Sequence, residues 1–401
     1  MRQDFEFDTI FPRRSCGAEK WDMARNSKGE LPEGVVPMTV ADMEFKSAPQ
    51  VRDALRELAD FGMWGYTAPT QACLDAVCAW FKNRHGWSVQ PEWLVQTVNV
   101  VAALGGAVRA FTKSGDRVII QTPVYPPFYR TVTSNGRTLV ENPLRRDGMD
   151  YRMDLDDLAE KAKGAAMLIL CSPHNPVGRV WSREELEGVA RICAENGVLV
   201  VSDEIHCDLI HNGHTHIPFA SLSPETADRA IVCTSASKTF SFAGLACANI
   251  IIPNETLRQR FTRQKYLDGF GTDSIFGMRA MEAAYGGAGE WYEAMLGYVW
   301  GNYLYLKEYL SAHIPAAGLA DLQGTYLAWA DLSCLGLPGD KLMAFLTDEA
   351  SLFLGDGRAY GPETCEGLVR INLACPRRAL SEGLDRLSRA CAARGLAAFR
   401  P

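Results

Sequence analysis

The sequence lacks any dense block of lysine and arginine. Its 41 Lys and Arg residues are outnumbered by 48 Asp and Glu residues, giving a formal net charge of −7. Nucleic acids and anionic membranes are bound mainly by basic surfaces. The composition therefore disfavours both as principal partners.

The sequence also lacks long apolar runs and cysteine pairs at metal-binding or redox spacing. Residues 1–8 have neither the basic start nor the apolar core of a signal peptide, and no apolar run approaches the roughly 18 residues of a membrane span. The 12 cysteines include no C-x-x-C, which predicts reduced and mostly buried thiols. With 401 residues, 47% hydrophobic, we expect a two-domain cytoplasmic enzyme.

One short run, residues 233–244, carries the most specific chemistry. It follows the apolar segment 230–232 and contains a single lysine, Lys238. A lysine just past a buried strand loses its proton more readily than a solvated one, and only the free amine attacks an aldehyde. Ser235 and Ser237 lie within reach of a phosphate. Taken alone, the run would be better explained by an exposed lysine in a serine-rich loop.

Two upstream motifs favour the chemical interpretation. Residues 198–203 form a continuous apolar run that ends in Asp203, and residues 167–171 form another that leads to Asn175. Between them, a capping-box pattern at Ser182 predicts a helix that ends near 196–197. Strand, helix and strand in alternation predict a parallel sheet, whose carboxyl-end edge is where ligands bind.

In chain order, these motifs read N-P-x-G, D-E-I-H and S-x-S-K. The set resembles the fold-type I pyridoxal 5'-phosphate enzymes of the class I and II aminotransferase superfamily. The resemblance implies an α/β fold with a central, mostly parallel seven-stranded sheet flanked by helices, and a smaller α+β domain. We expect an N-terminal arm at 1–45 that forms part of the small domain, a large cofactor-binding domain at 46–285, and a C-terminal part of the small domain at 286–401.

The resemblance also implies roles around the pyridine ring of the cofactor. Lys238 is expected to be the covalent anchor and the general base, and Asp203 to hold the ring nitrogen protonated. Asn175 and His206 are expected to contact the phenolic oxygen. Tyr125, held between prolines at a strand end, is expected to stack on the ring; on residue type alone it could equally belong to a rigid loop.

The phosphate is expected to bind where a strand passes into a helix. The first amides of that helix, at Val100 and Val101, lack intrahelical partners and so favour an anion. Ser235 and Ser237 are expected to assist. The family keeps a tyrosine that reaches the phosphate of the neighbouring subunit, and Tyr66 matches its place. A homodimer with shared active sites follows, with a surface packing aromatic as the alternative for Tyr66.

Three residues are expected to bind the substrate. Arg370 lies inside an apolar strand, where a guanidinium is costly to bury without an anion, and the family's carboxylate-binding arginine has the same V-R-I-N context. An internal salt bridge is the alternative. Asp42 and Tyr66 complete the predicted substrate-binding set.

Several features resemble one subgroup, the MalY/PatB type of cystathionine β-lyase. They are Lys20-Trp21-Asp22, Val40-Ala41-Asp42, His206 in place of a tyrosine, and Ala246 where many aminotransferases have an arginine. Thr39 departs from the tryptophan usual in the subgroup. The resemblance implies cleavage of L-cystathionine or related cysteine S-conjugates to pyruvate, ammonia and a thiol.

Two other functions are compatible with the motifs. A related aminotransferase would require a 2-oxo acid for turnover. A regulator that only binds the cofactor is less expected, because the fused regulators of this superfamily carry an added DNA-binding domain and this chain begins directly with the arm.

Two local patterns complete the predictions. His211, His214 and His216 lie near Asp208, but 211–214 looks like the tip of a β-hairpin with Asn-Gly as its two-residue turn, and strand alternation would separate the histidines, so no metal is expected. A second capping box, Ser47 with a glutamine three residues later, predicts a helix that runs to about 61.

Overall fold

The structure, a computed structural model, describes residues 5–13 and 16–400. In this part of the chain there are fourteen α-helices: α1 Glu19–Lys28, α2 Pro49–Phe61, α3 Gln71–His85, α4 Val100–Phe111, α5 Pro127–Thr133, α6 Leu155–Ala162, α7 Arg183–Asn196, α8 Pro224–Ala227, α9 Ala236–Thr239, α10 Glu255–Leu267, α11 Ile275–Gly287, α12 Gly289–His313, α13 Gly339–Ala344 and α14 Arg377–Arg394.

Thirteen strands in the same described residues form three sheets. They are β1 Leu94–Thr97, β2 Arg117–Thr122, β3 Thr138–Pro143, β4 Arg145–Asp147, β5 Asp150–Arg152, β6 Ala165–Cys171, β7 Leu199–Asp203, β8 Ala230–Thr234, β9 Ala248–Ile251, β10 Gly318–Leu319, β11 Leu327–Asp331, β12 Gly355–Asp356 and β13 Leu368–Asn372.

The largest sheet has seven strands in the order β1-β9-β8-β7-β6-β2-β3. Its pairings are parallel except for those of β9, which is antiparallel to both neighbours. The central strands β6, β7 and β8 are almost entirely buried, as expected when helices cover both faces of a parallel sheet. The predicted seven-stranded, mostly parallel sheet is confirmed.

Helix α7, between β6 and β7, begins and ends as the sequence predicts. Ser182 Oγ accepts the backbone N–H of Glu185, and the Glu185 carboxylate accepts the N–H of Ser182, which completes the capping box. Gly197 ends the helix with φ of 69°, a conformation that favours glycine.

The second capping box was predicted wrongly, although the helix itself is present. Helix α2 runs from Pro49 to Phe61, but its first residue follows Ala48 and no side chain caps it. The Ser47 hydroxyl instead donates to the carbonyl oxygen of Phe240 (2.7 Å). This contact connects the start of α2 to the segment that carries Lys238, a tertiary use of the hydroxyl that local spacing cannot reveal.

A second, antiparallel sheet has the order β10-β11-β13-β12 and is built from residues after 317. The N-terminal arm joins it, because Met38 forms an isolated parallel bridge with Leu354 and its carbonyl oxygen accepts the N–H of Asn372 (3.0 Å). This arrangement agrees with a small domain made from both ends of the chain, while the boundaries at 45 and 285 stay predictions.

All twelve cysteines are free, and nine of them are buried. The expectation of reduced, mostly buried thiols agrees with this arrangement. Among the helices of the described residues, none has the length and apolarity needed to cross a membrane.

Candidate active site

Three neighbouring strands of the large sheet bring the key residues to one edge. Asp203 is the last residue of β7, Asn175 follows β6, and Lys238 lies in α9 directly after β8. All three line one cavity of about 420 Å³, together with Tyr125 and His206. The structure therefore brings together the pyridine-ring residues predicted from separate motifs.

Lys238 lies at the base of this cavity. Its side chain is largely buried, with a small part exposed to the cavity. Its ammonium group donates to the carbonyl oxygen of Ala41 (2.5 Å). Burial lowers the pKa of Lys238 to about 8, with Arg370 lowering it further and Asp42 opposing the change. At pH 7 about a tenth of the amine is therefore unprotonated, far more than in a solvated lysine, and the unprotonated form is the one that a nucleophile or base requires.

Asp203 is 4% exposed and has no ion-pair partner among residues 5–13 and 16–400. Its Oδ1 accepts the backbone N–H of Ile205 (3.1 Å). Burial raises the pKa of Asp203 to about 7. A buried carboxylate without a cation is costly unless something else supplies a proton or a positive charge.

His206 and Asn175 form the adjoining wall of the cavity. Burial lowers the pKa of His206 to about 3, with Lys238 and Arg370 lowering it further, so the ring is neutral. Its Nδ1 is buried and has no partner in the described structure. Asn175 accepts from Arg370 through Oδ1 (3.1 Å). The histidine thus retains unused hydrogen-bonding capacity beside the cavity.

Tyr125 follows β2 and is half-buried at the cavity. Its ring packs edge-on against Phe128, with ring centroids 6.2 Å apart. Burial raises the pKa of the Tyr125 hydroxyl, which is therefore protonated at neutral pH. The ring is positioned at the cavity, as expected of a stacking group, and the stacking itself stays a prediction.

The N-terminus of α4 forms another side of the cavity. Val100 and Val101 are its first two residues, and Asn99 caps the helix by accepting the N–H of Ala102 through its side chain (2.7 Å). This cap leaves the backbone amides of Val100 and Val101 for another acceptor, and a helix N-terminus favours an anion there.

Ser235 and Ser237 lie at the same place, as expected for residues near a phosphate. Ser235 Oγ is 2.7 Å from the carbonyl oxygen of Cys247 and 2.8 Å from Ser237 Oγ. It also accepts the N–H of Ser237 (3.1 Å). Ser235 therefore fixes the turn that presents Ser237, and direct contact of either hydroxyl with a phosphate stays a prediction.

Arg370 lies in β13 and is 5% exposed. Its guanidinium donates to the carbonyl oxygen of Thr39 (2.7 Å) and to Asn175, and it stacks over the Tyr360 ring at 4.9 Å. Its Nε is buried without a partner, and among the described residues no carboxylate pairs with it. The alternative of an internal salt bridge therefore finds no support, and the guanidinium is suited to an anionic ligand.

Asp42 belongs to a cluster of paired charges beside the cavity. Its carboxylate pairs with Lys20 (2.8 Å) and Arg13 (3.0 Å). Glu44 pairs with the same two cations, at 2.7 Å and 3.1 Å. Lys20 is 1% exposed, so the K-W-D and V-A-D motifs meet in a buried ionic cluster. A direct contact of Asp42 with substrate stays a prediction.

Tyr66 lies away from the cavity of its own chain. It is 96% exposed in the loop after α2 and does not line the cavity that contains Lys238. Phe61, Met63 and Trp64 nearby are each more than half exposed. Contiguous exposed apolar side chains of this kind are typical of an interaction surface.

The three histidines near the predicted turn do not converge on one site. His211 is hydrogen-bonded to the Thr325 carbonyl oxygen (2.7 Å), His216 pairs with Glu204 (2.9 Å), and His214 is exposed. Asn212 and the glycine after it both have positive φ, as the Asn-Gly turn predicts. The predicted hairpin is wrong, because the described residues on either side of the turn form no paired strands, and Ile210 instead bridges to Gly324.

Asp208 lies elsewhere, in a buried network with other partners. It accepts from Trp80, His85 and Thr239 at 2.7–2.9 Å. The atoms of His85, Cys207 and Asp208 come within 4.8 Å of one another, but the carboxylate is already satisfied by hydrogen bonds.

Sequence reasoning missed three residues of this region. Glu19, the first residue of α1, lines the cavity. Tyr360 packs under Arg370, and Tyr326 packs edge-on against His206 with its hydroxyl donating to the Ala41 carbonyl oxygen (3.0 Å). Only the adjacency of Glu19 to the K-W-D motif could have signalled the first of these.

The model of the family "Aminotransferase class I and II" matches residues 33–387. The chain belongs to this family. It is 41% identical over 386 residues to the cystathionine β-lyase PatB of Bacillus subtilis, covering 96% of this chain and 99% of PatB. The predicted membership of the MalY/PatB branch is thereby confirmed.

Two solved structures show how closely the fold agrees. Cystalysin from Treponema denticola, which contains a pyridoxal 5'-phosphate cofactor, is 36% identical with a TM-score of 0.95, covering 98% of this chain and 100% of cystalysin. The pyridoxal-phosphate-bound C–S lyase from Staphylococcus hominis is 34% identical with a TM-score of 0.90, covering 96% and 98%. The predicted fold type I is confirmed.

Proposed function

We propose that this protein is a pyridoxal 5'-phosphate-dependent C–S β-lyase that cleaves L-cystathionine or related cysteine S-conjugates to pyruvate, ammonia and a thiol. The observation that carries the proposal is the position of Lys238, a buried amine with lowered pKa, in one cavity with Asp203. The identity to PatB favours a lyase over an aminotransferase.

The residues of the cavity fit this cofactor. Asp203 is a buried carboxylate without an ion-pair partner among the residues that the structure describes, and a protonated pyridine nitrogen would supply one. His206 Nδ1 is an unpartnered buried polar atom beside Asn175, suited to a phenolic oxygen. The free amides at the start of α4 are suited to a phosphate. Tyr125 supplies an aromatic face.

When bound, the cofactor supplies an electron sink for the pair released from the Cα–H bond of the substrate. Asp203 keeps that sink effective by holding a proton at the ring nitrogen. Arg370 binds the substrate α-carboxylate through its planar guanidinium. Lys238, as a free amine, takes the proton from Cα.

The Cβ–S bond then breaks, and the sulfur leaves with the bonding pair as a thiolate that takes up a proton. Addition of one water balances the reaction, giving thiol, pyruvate and ammonium. Lys238, now an ammonium, can return a proton to the departing thiolate, which favours expulsion over a transfer of the amino group to the cofactor.

The decisive experiment is turnover of L-cystathionine without any 2-oxo acid. Pyruvate and thiol should form in equal amounts over many turnovers. An aminotransferase would stop after one turnover and resume when 2-oxoglutarate is added, and that result would overturn the lyase assignment.

The proposal includes a homodimer in which Tyr66 reaches the phosphate of the partner subunit. Its support is the 96% exposure of Tyr66 within an exposed apolar segment. Under subunit exchange, an equal mixture of Lys238→Ala and Tyr66→Ala protomers should recover about a quarter of wild-type activity, because half of the dimers are hybrids with one intact site. No recovery in an exchanging mixture would exclude shared sites.

A cytoplasmic location is also part of the proposal. Its support is the set of twelve free cysteines, since such thiols persist in a reducing compartment.

A further inference from the structure

The cavity that contains Lys238 has a second carboxylate that the reaction above does not use. Glu19, at the start of α1, lines this cavity and is exposed. Among residues 5–13 and 16–400, no side chain forms an ion pair or hydrogen bond with it. Its negative charge is therefore available to a ligand.

The other charged groups of the region are committed. Asp203 is buried on the floor of the cavity, whereas Asp42 and Glu44 are neutralised by Arg13 and Lys20. Of the carboxylates that line the cavity, Glu19 alone is solvent-accessible within the described chain.

Glu19 and Arg370 both influence Tyr125, which lines the cavity beside Glu19. Burial raises the pKa of the Tyr125 hydroxyl, Glu19 contributes to the rise, and Arg370 opposes it. Both charges are thus within electrostatic range of one ring. Under the proposed function Arg370 takes the α-carboxylate at the reacting end of a substrate, which leaves Glu19 for the other end.

We propose that Glu19 is a specificity-determining residue that binds a cationic group on the sulfur substituent of the substrate, such as the distal ammonium of L-cystathionine. The inference rests on the lyase function and adds to it a preference for substrates whose sulfur substituent carries a positive charge. A carboxylate at the rim attracts a cation and repels an anion, so it ranks cysteine conjugates by the charge of their leaving group.

The alternative to a ligand-binding role is that Glu19 is a solvated glutamate in the first turn of a helix, where it interacts favourably with the helix dipole. That role would change stability without changing the ranking of substrates. The experiment must therefore compare substrates on one variant, not only variants on one substrate.

Three synthetic conjugates provide the comparison: S-(3-aminopropyl)-L-cysteine, the neutral S-butyl-L-cysteine of similar length, and S-(2-carboxyethyl)-L-cysteine. For each holoenzyme, kcat/KM is measured from pyruvate release. We expect Glu19→Gln to lower kcat/KM about fivefold for the aminopropyl conjugate and to leave the butyl conjugate unchanged. Glu19→Lys should in addition raise kcat/KM for the carboxyethyl conjugate.

Glu30→Gln is the matched control. It removes one exposed negative charge from the chain just beyond α1, and Glu30 does not line the cavity. Its three kcat/KM values should equal those of wild type. The Glu19 effect should also shrink as ionic strength rises, as expected for a partly solvated ion pair.

Two results would overturn the inference. One is an equal loss for the aminopropyl and butyl conjugates, which would assign Glu19 a structural role, and the other is no loss for either. If wild type releases no pyruvate from L-cystathionine or from any of the conjugates, the lyase function fails and the inference with it. Cleavage of all three with an unchanged ranking overturns only the role of Glu19.

Discussion

Charged groups are paired in the arm cluster, formed by Arg13, Lys20, Asp42 and Glu44, whereas polar and charged groups lack partners on the cavity floor, formed by Asp203 and His206, and at the adjoining Arg370. In the arm, Lys20 is 1% exposed and contacts two carboxylates at 2.7–2.8 Å. On the floor, Asp203 has no ion-pair partner and His206 Nδ1 has no hydrogen-bond partner, and the adjoining Arg370 lacks a carboxylate, among the residues that the structure describes. The two regions meet at Ala41, whose carbonyl oxygen accepts from Lys238.

The difference indicates which charges hold the fold and which are reserved for ligands. A buried charge with its partners in place resists removal, because the remaining partner is left unpaired. A buried charge without partners destabilises the ligand-free fold and is retained for what it binds. Each region therefore predicts a different response to mutation.

The largest effect should come from Lys238→Ala on the floor. Loss of both the anchor and the base should reduce pyruvate formation by at least about a thousandfold. Wild type should be yellow, and borohydride reduction followed by peptide mass spectrometry should find the pyridoxyl group on Lys238. As a control, Lys161→Ala, at a partly exposed lysine of α6, should retain full activity. A label on another lysine would refute the central assignment.

Lys20→Met tests the arm cluster. It leaves Glu44 and Asp42 with only Arg13, so unfolding by denaturant should cost about 3 kcal/mol less than for wild type. An equally stable variant would show that the cluster does not hold the fold. Lys28→Met, at the C-terminal end of the same helix, provides a comparison at which a smaller loss is expected, because half-buried Lys28 donates to the carbonyl oxygens of Thr347 and Asp348 and leaves no carboxylate unpaired when it is removed.

Arg370→Ala tests the unpaired guanidinium that adjoins the cavity floor. It should weaken binding of amino-acid substrates more than about a hundredfold while cofactor absorbance remains, because the α-carboxylate loses its buried partner. Arg370→Lys should recover part of the loss, since it restores the charge without the planar guanidinium. An unchanged KM with a destabilised fold would instead place Arg370 among the structural charges.

Asp203→Asn should have the smallest effect on stability, with the opposite sign to Lys20→Met. Burial raises the pKa of Asp203 from 3.8 to about 7, so the folded apoprotein holds a proton that the unfolded chain releases. The contribution of Asp203 to the free energy of unfolding is therefore fully present below pH 3.8 and is lost as the pH rises towards 7.

At pH 8 the apoprotein of Asp203→Asn should be about 2 kcal/mol more stable than wild type, within the roughly 4 kcal/mol that three pKa units represent. Its advantage should disappear at pH 4, and its lyase activity should fall. Denaturant unfolding at the two pH values measures the change. A gain that is the same at both would mean that ionisation of Asp203 is not the cause.

Much of the floor could be predicted from the sequence because its residues follow continuous apolar strands. Parallel strands end at a common edge, so Asn175, Asp203 and Lys238 had to meet once their three strands paired side by side. The capping box at Ser182 was predictable for a similar reason, since its partners lie three residues apart in one helix. Local periodicity and short spacing carry this information.

The remaining features depend on contacts between distant parts of the chain, which spacing does not encode. The hydroxyl of Ser47 could satisfy a helix end or a remote carbonyl, and packing selected Phe240, 193 residues away. The arrival of Glu19 at the cavity and the pairing of Lys20 with Asp42 likewise depend on how the arm folds back. The sequence by itself determined the sheet and the chemistry at its edge, whereas only tertiary packing decided which charges are neutralised and which remain for a ligand.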